Sequence, residues 1–282
     1  MKILLSGSHG LIGTQLMRSL HEKGHEVKAL GRDFTKDMDF NDIDAVIHLA
    51  GESIAKGRWT TEKKKRIEES RVAGTTLLSQ QIAESPHKPR VFITASAIGY
   101  YGERGNEILD ECSSAGTGFL AEVCRKWEAV SLPARKAGIR TVNIRTGIVL
   151  SEKGGALSKM LPPFKIGAGG IIGNGKQFMS WISLHDLVEA ITFLINDDES
   201  VGAINLVSPK PITNHEFTKT LGHVLHRPTI MPLPAFAAKI MFGEMAEALL
   251  LSSTKVIPKK LMEAGFKYKH EDLREALEDI LR

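Results

Sequence analysis

Three glycines at a spacing of three, Gly7, Gly10 and Gly13, stand between a short apolar run and an amphipathic segment. The run is "KILLS". The segment, "LIGTQLMRSLHEKGH", repeats apolar residues at Leu11, Ile12, Leu16, Met17 and Leu20 with helical spacing and closes at Gly24. Each glycine has a separate physical use. A tight turn needs one, a backbone approaching a pyrophosphate must carry no side chain, and a helix packed hard against a strand needs the third. The helix then directs its free N–H groups, from Leu11 and Ile12 onward, and the positive end of its dipole toward an anion. Strand, glycine loop and helix in this order predict a dinucleotide-binding unit. The plainer alternative is a glycine turn that only packs a helix against a strand.

The pattern continues in kind. "EVKAL" predicts a second strand, "DAVIHLA" a third that is apolar on both faces, "PRVFITAS" a fourth and "IRTVNIRTGIVL" a fifth. Between the last two, "FLAEVCRKWEAVSLPARKAG" predicts one long helix closed by Gly138. The alternation predicts an α/β fold, a Rossmann-type doubly wound parallel sheet with helices on both faces. From residue 151 the character changes. "SEKGGALSKMLPPFKIGAGGIIGNGKQ" is rich in Gly and Pro and predicts a long loop or small lobe on the ligand side. Residues 179–207 return partly to the core, and the tail from about Pro232 is mainly helical. The expected division is a dinucleotide-binding core over 1–150 and, over 151–282, a smaller, mostly helical substrate lobe with a C-terminal helical module.

Composition narrows the function classes. A formal charge of +4 over 282 residues, with no aromatics interleaved in the basic run, argues against nucleic acid. That run, "EKKKRIEESR", predicts a solvated helix face. Cys112 and Cys124 make no disulfide framework, the histidines are scattered, and no metal site is expected. No run approaches a membrane span, and no signal-peptide core opens the chain, so the expected location is cytoplasmic. The expected state is a monomer or homodimer.

The end of the second strand, "VKALGRD", bears on the cofactor. An acid at this position favours NAD by bonding the ribose 2′-hydroxyl. Here Arg32 offers a cation and Gly31 leaves room, which argues for the 2′-phosphate of NADP(H), with Asp33 as the competing feature. In "HLAGE" the small residues, Gly51 among them, let the chain pass beneath a cofactor beside Glu52, and His48 reads as structural.

Together, "GSHGLIGTQL", "HLAGESI", "RWTTEKKKRIEESRVAGTTLL", "SAIGYYG", "FLAEVCRKWEA", "IRTGIVL", "GNGKQFMSWISLHDL" and "KVIPKKLMEAGFKY" resemble the extended short-chain dehydrogenase/reductase superfamily. More narrowly, they resemble its atypical "epimerase family" branch, with that branch's own C-terminal helical module. The resemblance runs nearly the full length. It implies that Leu49 and Ala50 line the cofactor, that Arg71 contacts it, and that Gly31 and Arg32 face the 2′-phosphate. It also implies a small polar substrate of the sugar-nucleotide type.

One element departs from the superfamily pattern. A Tyr and a Lys four residues later normally share a helix face, where the Lys lowers the phenol pKa and the Tyr exchanges a proton with the substrate. Alignment puts Leu120 and Cys124 at those positions, and no Tyr-x-x-x-Lys occurs in the chain. Ser96 resembles the serine that bonds the substrate oxygen. Tyr100 and Tyr101 are the nearby phenols, with three roles open to them: acid/base catalysis, shaping the pocket, or packing. Cys124 reads as a small core residue, Trp127 and Glu128 as packing and surface, and Asp186 as a helix cap. Arg145 presents a planar fork suited to a phosphate or carboxylate. By comparison with epimerases, Lys176, Gln177 and Trp181 are candidate substrate contacts. Two functions remain open: an NADP-dependent oxidoreductase or epimerase, and a non-catalytic NADP(H)-binding sensor or partner-binding protein.

Overall fold

The structure, a computed structural model, describes residues 1–31 and 38–282. Six strands form the central sheet among the described residues: β1 (Lys2–Ser6), β2 (Glu26–Leu30), β3 (Ala45–His48), β4 (Val91–Ala97), β5 (Arg140–Thr146) and β6 (Gly202–Leu206). Their order is β6-β5-β4-β3-β1-β2, and every pairing is parallel. β3 is buried along its whole length: Ala45, Val46 and Ile47 are apolar, and only His48 at its carboxyl end is polar. The chain leaves β1 toward β2 and then crosses back to β3 on β1's other side. That reversal opens a crevice beyond the carboxyl ends of β1 and β3, the place where open α/β sheets bind ligands.

Helices α1 (Leu11–Glu22), α2 (Thr61–Glu84), α3 (Phe119–Ala129), α4 (Gly155–Lys165), α5 (Leu184–Asn196), α6 (Asn214–Val224), α7 (Ala235–Phe242) and α8 (Leu273–Leu281) cover the sheet and build the lobe. One face of the sheet packs Ile3, Leu5, Ile47 and Ile93 against Leu16, Leu20 and Ile191. The other packs Leu4, Val46 and Phe92 against Leu78 and Ile82. A separate core in the lobe joins Leu157, Leu161, Trp181, Phe217 and Leu277.

Several local expectations need correction. The long helix over residues 119–138 is two: α3 ends at Ala129, and a short helix, Leu132–Lys136, restarts with Pro133 in its first turn, where a missing N–H costs nothing. The fifth strand also divides. At Gly147 a Cβ would lie 2.6 Å from the Ser180 carbonyl oxygen, and the chain passes there into Ile148–Leu150, which pairs with Trp181–Ser183 in a separate two-stranded sheet. The Gly/Pro-rich stretch contains α4, helical through Pro162 and Pro163, which ends at Lys165. Asp186 does not cap α5. Ser183 does, accepting from the Asp186 N–H at 3.0 Å. The buried Asp186 carboxylate instead accepts from the Lys269 and His270 N–H groups at 2.8 and 2.9 Å, and so pins the tail to the core.

Candidate functional site

The glycine loop is built as its spacing predicts. Gly7 has φ +76°, and a Cβ there would meet Ala50 N and Leu49 C at 2.8 Å. A Cβ on Gly13 would lie 2.2 Å from the Gly7 carbonyl oxygen. Gly10 caps α1 with no side chain, and no acid stands in the first turn. The helix therefore presents bare N–H groups and its positive pole to the crevice, a cradle of the right chemistry for a cofactor diphosphate. Leu49 and Ala50, half-buried, follow β3 on the opposite wall. Gly31 is exposed, and a Cβ added there would meet nothing within 4 Å; Arg32 falls outside the described residues.

Below the crevice, His48 is fully buried, its Nδ1 2.5 Å from Ser6 Oγ. Burial lowers its pKa from 6.5 to about 4 and keeps the ring neutral. The unfolded chain takes up a proton near 6.5, whereas the folded chain takes one up only near 4. The resulting stabilisation is complete above that upper value and fades as the pH falls through the window, by about 3 kcal/mol in all. Urea unfolding of wild type and His48→Gln at neutral and acid pH should show that part of the pH dependence only in the wild type.

The basic run on α2 is a solvated face only in part: Glu62, Lys65, Arg66 and Glu69 are exposed as expected, but Lys63 and Arg71 are not. Lys63 is buried and its Nζ meets Glu52 Oε1 at 2.5 Å; Lys64 pairs with Glu244 of the tail. Arg71 donates to the carbonyls of Glu52 and Ile67 at 3.0 Å, stacks 5.1 Å from the Trp127 ring and lies beside Gly51. Burial pushes its guanidinium below the usual value. These hydrogen-bond partners are neutral carbonyls, so the charge remains available to an anion.

At the positions aligned with the superfamily's tyrosine and lysine, Leu120 fills the space over Gly99, whose Cβ would lie 3.2 Å from Leu120 Cβ. Cys124 is buried, and burial pushes its thiol up to about 11. Iodoacetamide should therefore modify exposed Cys112 in the native protein and spare Cys124, as counted by intact mass before and after unfolding.

Ser96, Tyr101 and Arg145 share one buried network. Arg145 donates from Nε and Nη2 to the two oxygens of Glu128, each at 2.8 Å. Ser96 Oγ donates to Glu128 Oε1 at 2.7 Å. Arg145 Nη1 donates to Tyr101 Oη at 2.9 Å, and Tyr101 donates on to Asn205 Oδ1 at 2.8 Å. Glu128 is thus no surface residue: its side chain is 13% exposed and answers the charge of Arg145, itself 4% exposed. Burial opposes the guanidinium charge, but Glu128 outweighs it and holds the Arg145 pKa above its usual value. Burial drives the Tyr101 phenol up to about 12, although Arg145 and Asn205 pull the other way. Tyr100, half-buried, lays its ring 3.5 Å from the Arg145 guanidinium carbon.

The remaining candidates lie in the lobe. Trp181 is buried in its core and donates to the Lys210 carbonyl at 3.2 Å. Gln177 Nε2 donates to the carbonyls of Ile172 and Leu250 at 3.0 Å. Lys176 is exposed. One group of described residues has metal-ligand composition, His185, Asp186 and His270, with ligand atoms within 4.8 Å. Its Asp186 oxygens are already taken by Ser183, Lys269 and His270.

Residues 3–206 match the model of the NAD dependent epimerase/dehydratase family. The chain belongs to that family. Residues 233–280 match a second model, Domain of unknown function (DUF1731), over the C-terminal module. An "Epimerase family protein" of Mycobacterium leprae is 40% identical over 98% of this chain and 94% of its own length. The crystal structure of human epimerase family protein SDR39U1, determined with NADPH, superposes with a TM-score of 0.94 at 33% identity over 99% of both chains. UDP-glucose 4-epimerase of Thermotoga maritima, solved with UDP-glucose, has a TM-score of 0.78 at 18% identity over 100% of this chain and 97% of its own, a likeness of fold alone. The atypical epimerase branch inferred from the motifs is thus the right one, and the fold is shared across the family. No helix among the described residues is long and apolar enough to cross a membrane.

Proposed function

We propose that this family member binds NADP(H) in the crevice between the glycine loop and the end of β3 and does not run the tyrosine–lysine proton relay of sugar-nucleotide epimerases. Gly7, Gly10 and Gly13, with the N–H groups of Leu11 and Ile12, would hold the diphosphate. Gly31 and Arg32 would take the 2′-phosphate side, while Leu49, Ala50, Gly51, Glu52 and Arg71 form the opposite wall. When bound, the cofactor supplies hydride chemistry at its nicotinamide. The likeness to a human protein crystallised with NADPH supports the cofactor assignment.

The observation that carries the second half is the closed network. A proton relay needs a phenol whose pKa is brought toward neutrality and a serine free to meet the substrate oxygen. Tyr101 is driven the other way, to about 12, and Ser96 spends its proton on Glu128 at 2.7 Å. Arg145 neutralises Glu128 rather than a ligand, so these groups stiffen the floor of the site.

A second reading keeps the chemistry and moves it to Tyr100. Its ring rests on Arg145 and its side chain reaches solvent, so a cation stands beside an accessible phenol. In that reading the protein is an oxidoreductase or epimerase acting on a small polar substrate such as a sugar nucleotide, with Lys176 as an outer contact. Incubation with NADP⁺ and a panel of nucleotide sugars, followed at the NADPH absorbance and by chromatography of the sugars, separates the two. We expect neither NADPH nor epimer. Turnover that disappears in Tyr100→Phe establishes the second reading instead.

A further inference from the structure

Helix α7 reverses the usual pattern of a helix that covers a core. It buries a small residue, Ala238, and leaves large ones exposed: Phe236 and Ile240, four apart and so on one face, with Met241 beside them. The helices on the sheet do the opposite, with Glu62, Lys65, Glu122 and Arg125 exposed on α2 and α3. The surface continues past α7. Segment 165–173 runs beside 227–233: Arg227 Nε donates to the Lys165 carbonyl at 2.8 Å, and the Leu233 and Gly173 N–H groups donate to the carbonyls of Ile171 and Leu233 at 2.9 Å. Exposed Ile166, Ile230 and Met231 belong to these two segments, which lead directly into α7. Among the described residues eleven large apolar side chains are exposed, and these six are the only ones gathered in one region of the lobe.

We propose that this face of α7, with Ile166, Ile230 and Met231, is a two-fold interface that a second copy of this chain covers. The area fits that occupant. The six side chains are between 54% and 80% exposed. They present on the order of 600 Å² of apolar surface, the upper end for the largest patch on an ordinary monomer. At the ~65% apolar share of homodimer interfaces, that corresponds to about 900 Å² per partner, above the ~800 Å² of a standard stable interface. The charges at the edge fit it as well. Lys239 pairs with Glu247 at 2.6 Å, and Lys64 of α2 pairs with Glu244. Arg58 spends its Nη2 on the carbonyls of Ile240 and Met241, at 2.6 and 3.3 Å. A two-fold contact sets each surface against its own copy, so an edge whose cations and anions are already paired within the chain avoids like-charge repulsion there.

The test is sedimentation equilibrium of the full chain over a range of micromolar concentrations. It compares wild type, the double variant Phe236→Ser, Ile240→Ser, and a control, Val201→Ser, whose apolar side chain is exposed outside the patch. Thermal melts confirm folding, and both altered side chains of the double variant are exposed, so it should melt as wild type does. We expect wild type and Val201→Ser to sediment at twice the chain mass, and the double variant to dissociate with a Kd raised at least about a hundredfold, as for the loss of two interface anchors. A wild type that stays monomeric throughout overturns the proposal, and so does a dimer that the double variant leaves as tight as before. The same proteins are spun with vesicles of phosphatidylcholine containing 30% phosphatidylglycerol. A monomeric wild type that co-sediments with the vesicles, where the double variant does not, gives the face to a lipid surface and overturns the second copy as its occupant.

Discussion

Glu128→Ala is expected to destabilise the folded chain by about 3–5 kcal/mol, the cost of leaving a buried charge without its partner. Arg145 is 4% exposed and both its carboxylate bonds end on Glu128. With Glu128 gone, its guanidinium keeps only the Tyr101 hydroxyl among these partners, and Ser96 loses its acceptor. Denaturant unfolding should show the midpoint falling with little change in slope. The double variant Glu128→Leu, Arg145→Met should recover most of the loss, because a buried ion pair often contributes little beyond what an apolar pair of similar volume would. A Glu128→Ala protein as stable as wild type would mean that the pair is solvated.

Gly7→Ala is expected to abolish cofactor binding, with affinity falling at least about a hundredfold, and to destabilise the core as well. A left-handed φ alone costs a non-glycine residue roughly 1–2 kcal/mol. The larger effect is steric, since the added Cβ would stand 2.8 Å from Ala50 N and Leu49 C. Both are main-chain atoms of the far wall, so no rotamer relieves the contact and the crevice must open. Gly24→Ala is the matched control. It shares a positive φ, +79°, with nothing within 4 Å of its Cβ position, so it should lose only the backbone cost and bind NADPH as wild type does. Equal affinity in Gly7→Ala and Gly24→Ala would place the cofactor elsewhere.

What the chain wrote locally was legible in it. The glycine spacing, the apolar third strand and the alternation of elements all follow from nearest neighbours, and β1, α1, β3 and β4 stand where those patterns put them. Local punctuation was weaker. Pro133 starts a helix rather than continuing one, and α4 runs through two prolines. Helix α6 carries a usable sign in its sequence: Thr213 and Glu216 form a capping box, with the Thr213 side chain accepting from the Glu216 N–H and the Glu216 side chain from the Thr213 N–H.

The candidate site was legible in outline only, because its energetics are non-local. Ser96, Tyr101 and Arg145 were recognisable as chemistry-bearing residues near the carboxyl ends of two neighbouring strands. Nothing adjacent to them in sequence says that Glu128 closes the bond set, or that the Tyr101 proton goes to Asn205, 104 residues away. The same holds for Lys63, one lysine in a run of three. Only the packing of α2 against the loop after β3 singles it out to meet Glu52.

The measurement that tests the central claim most directly is a paired titration of the wild-type protein with NADPH and NADH, read by cofactor fluorescence, followed by addition of nucleotide sugars to the saturated complex. The account predicts saturable one-to-one binding of NADPH, at least about tenfold tighter than NADH, and no change in cofactor or sugar afterwards. Absence of saturable NADPH binding would contradict the cofactor site, and turnover on addition of a nucleotide sugar would contradict the loss of the proton relay.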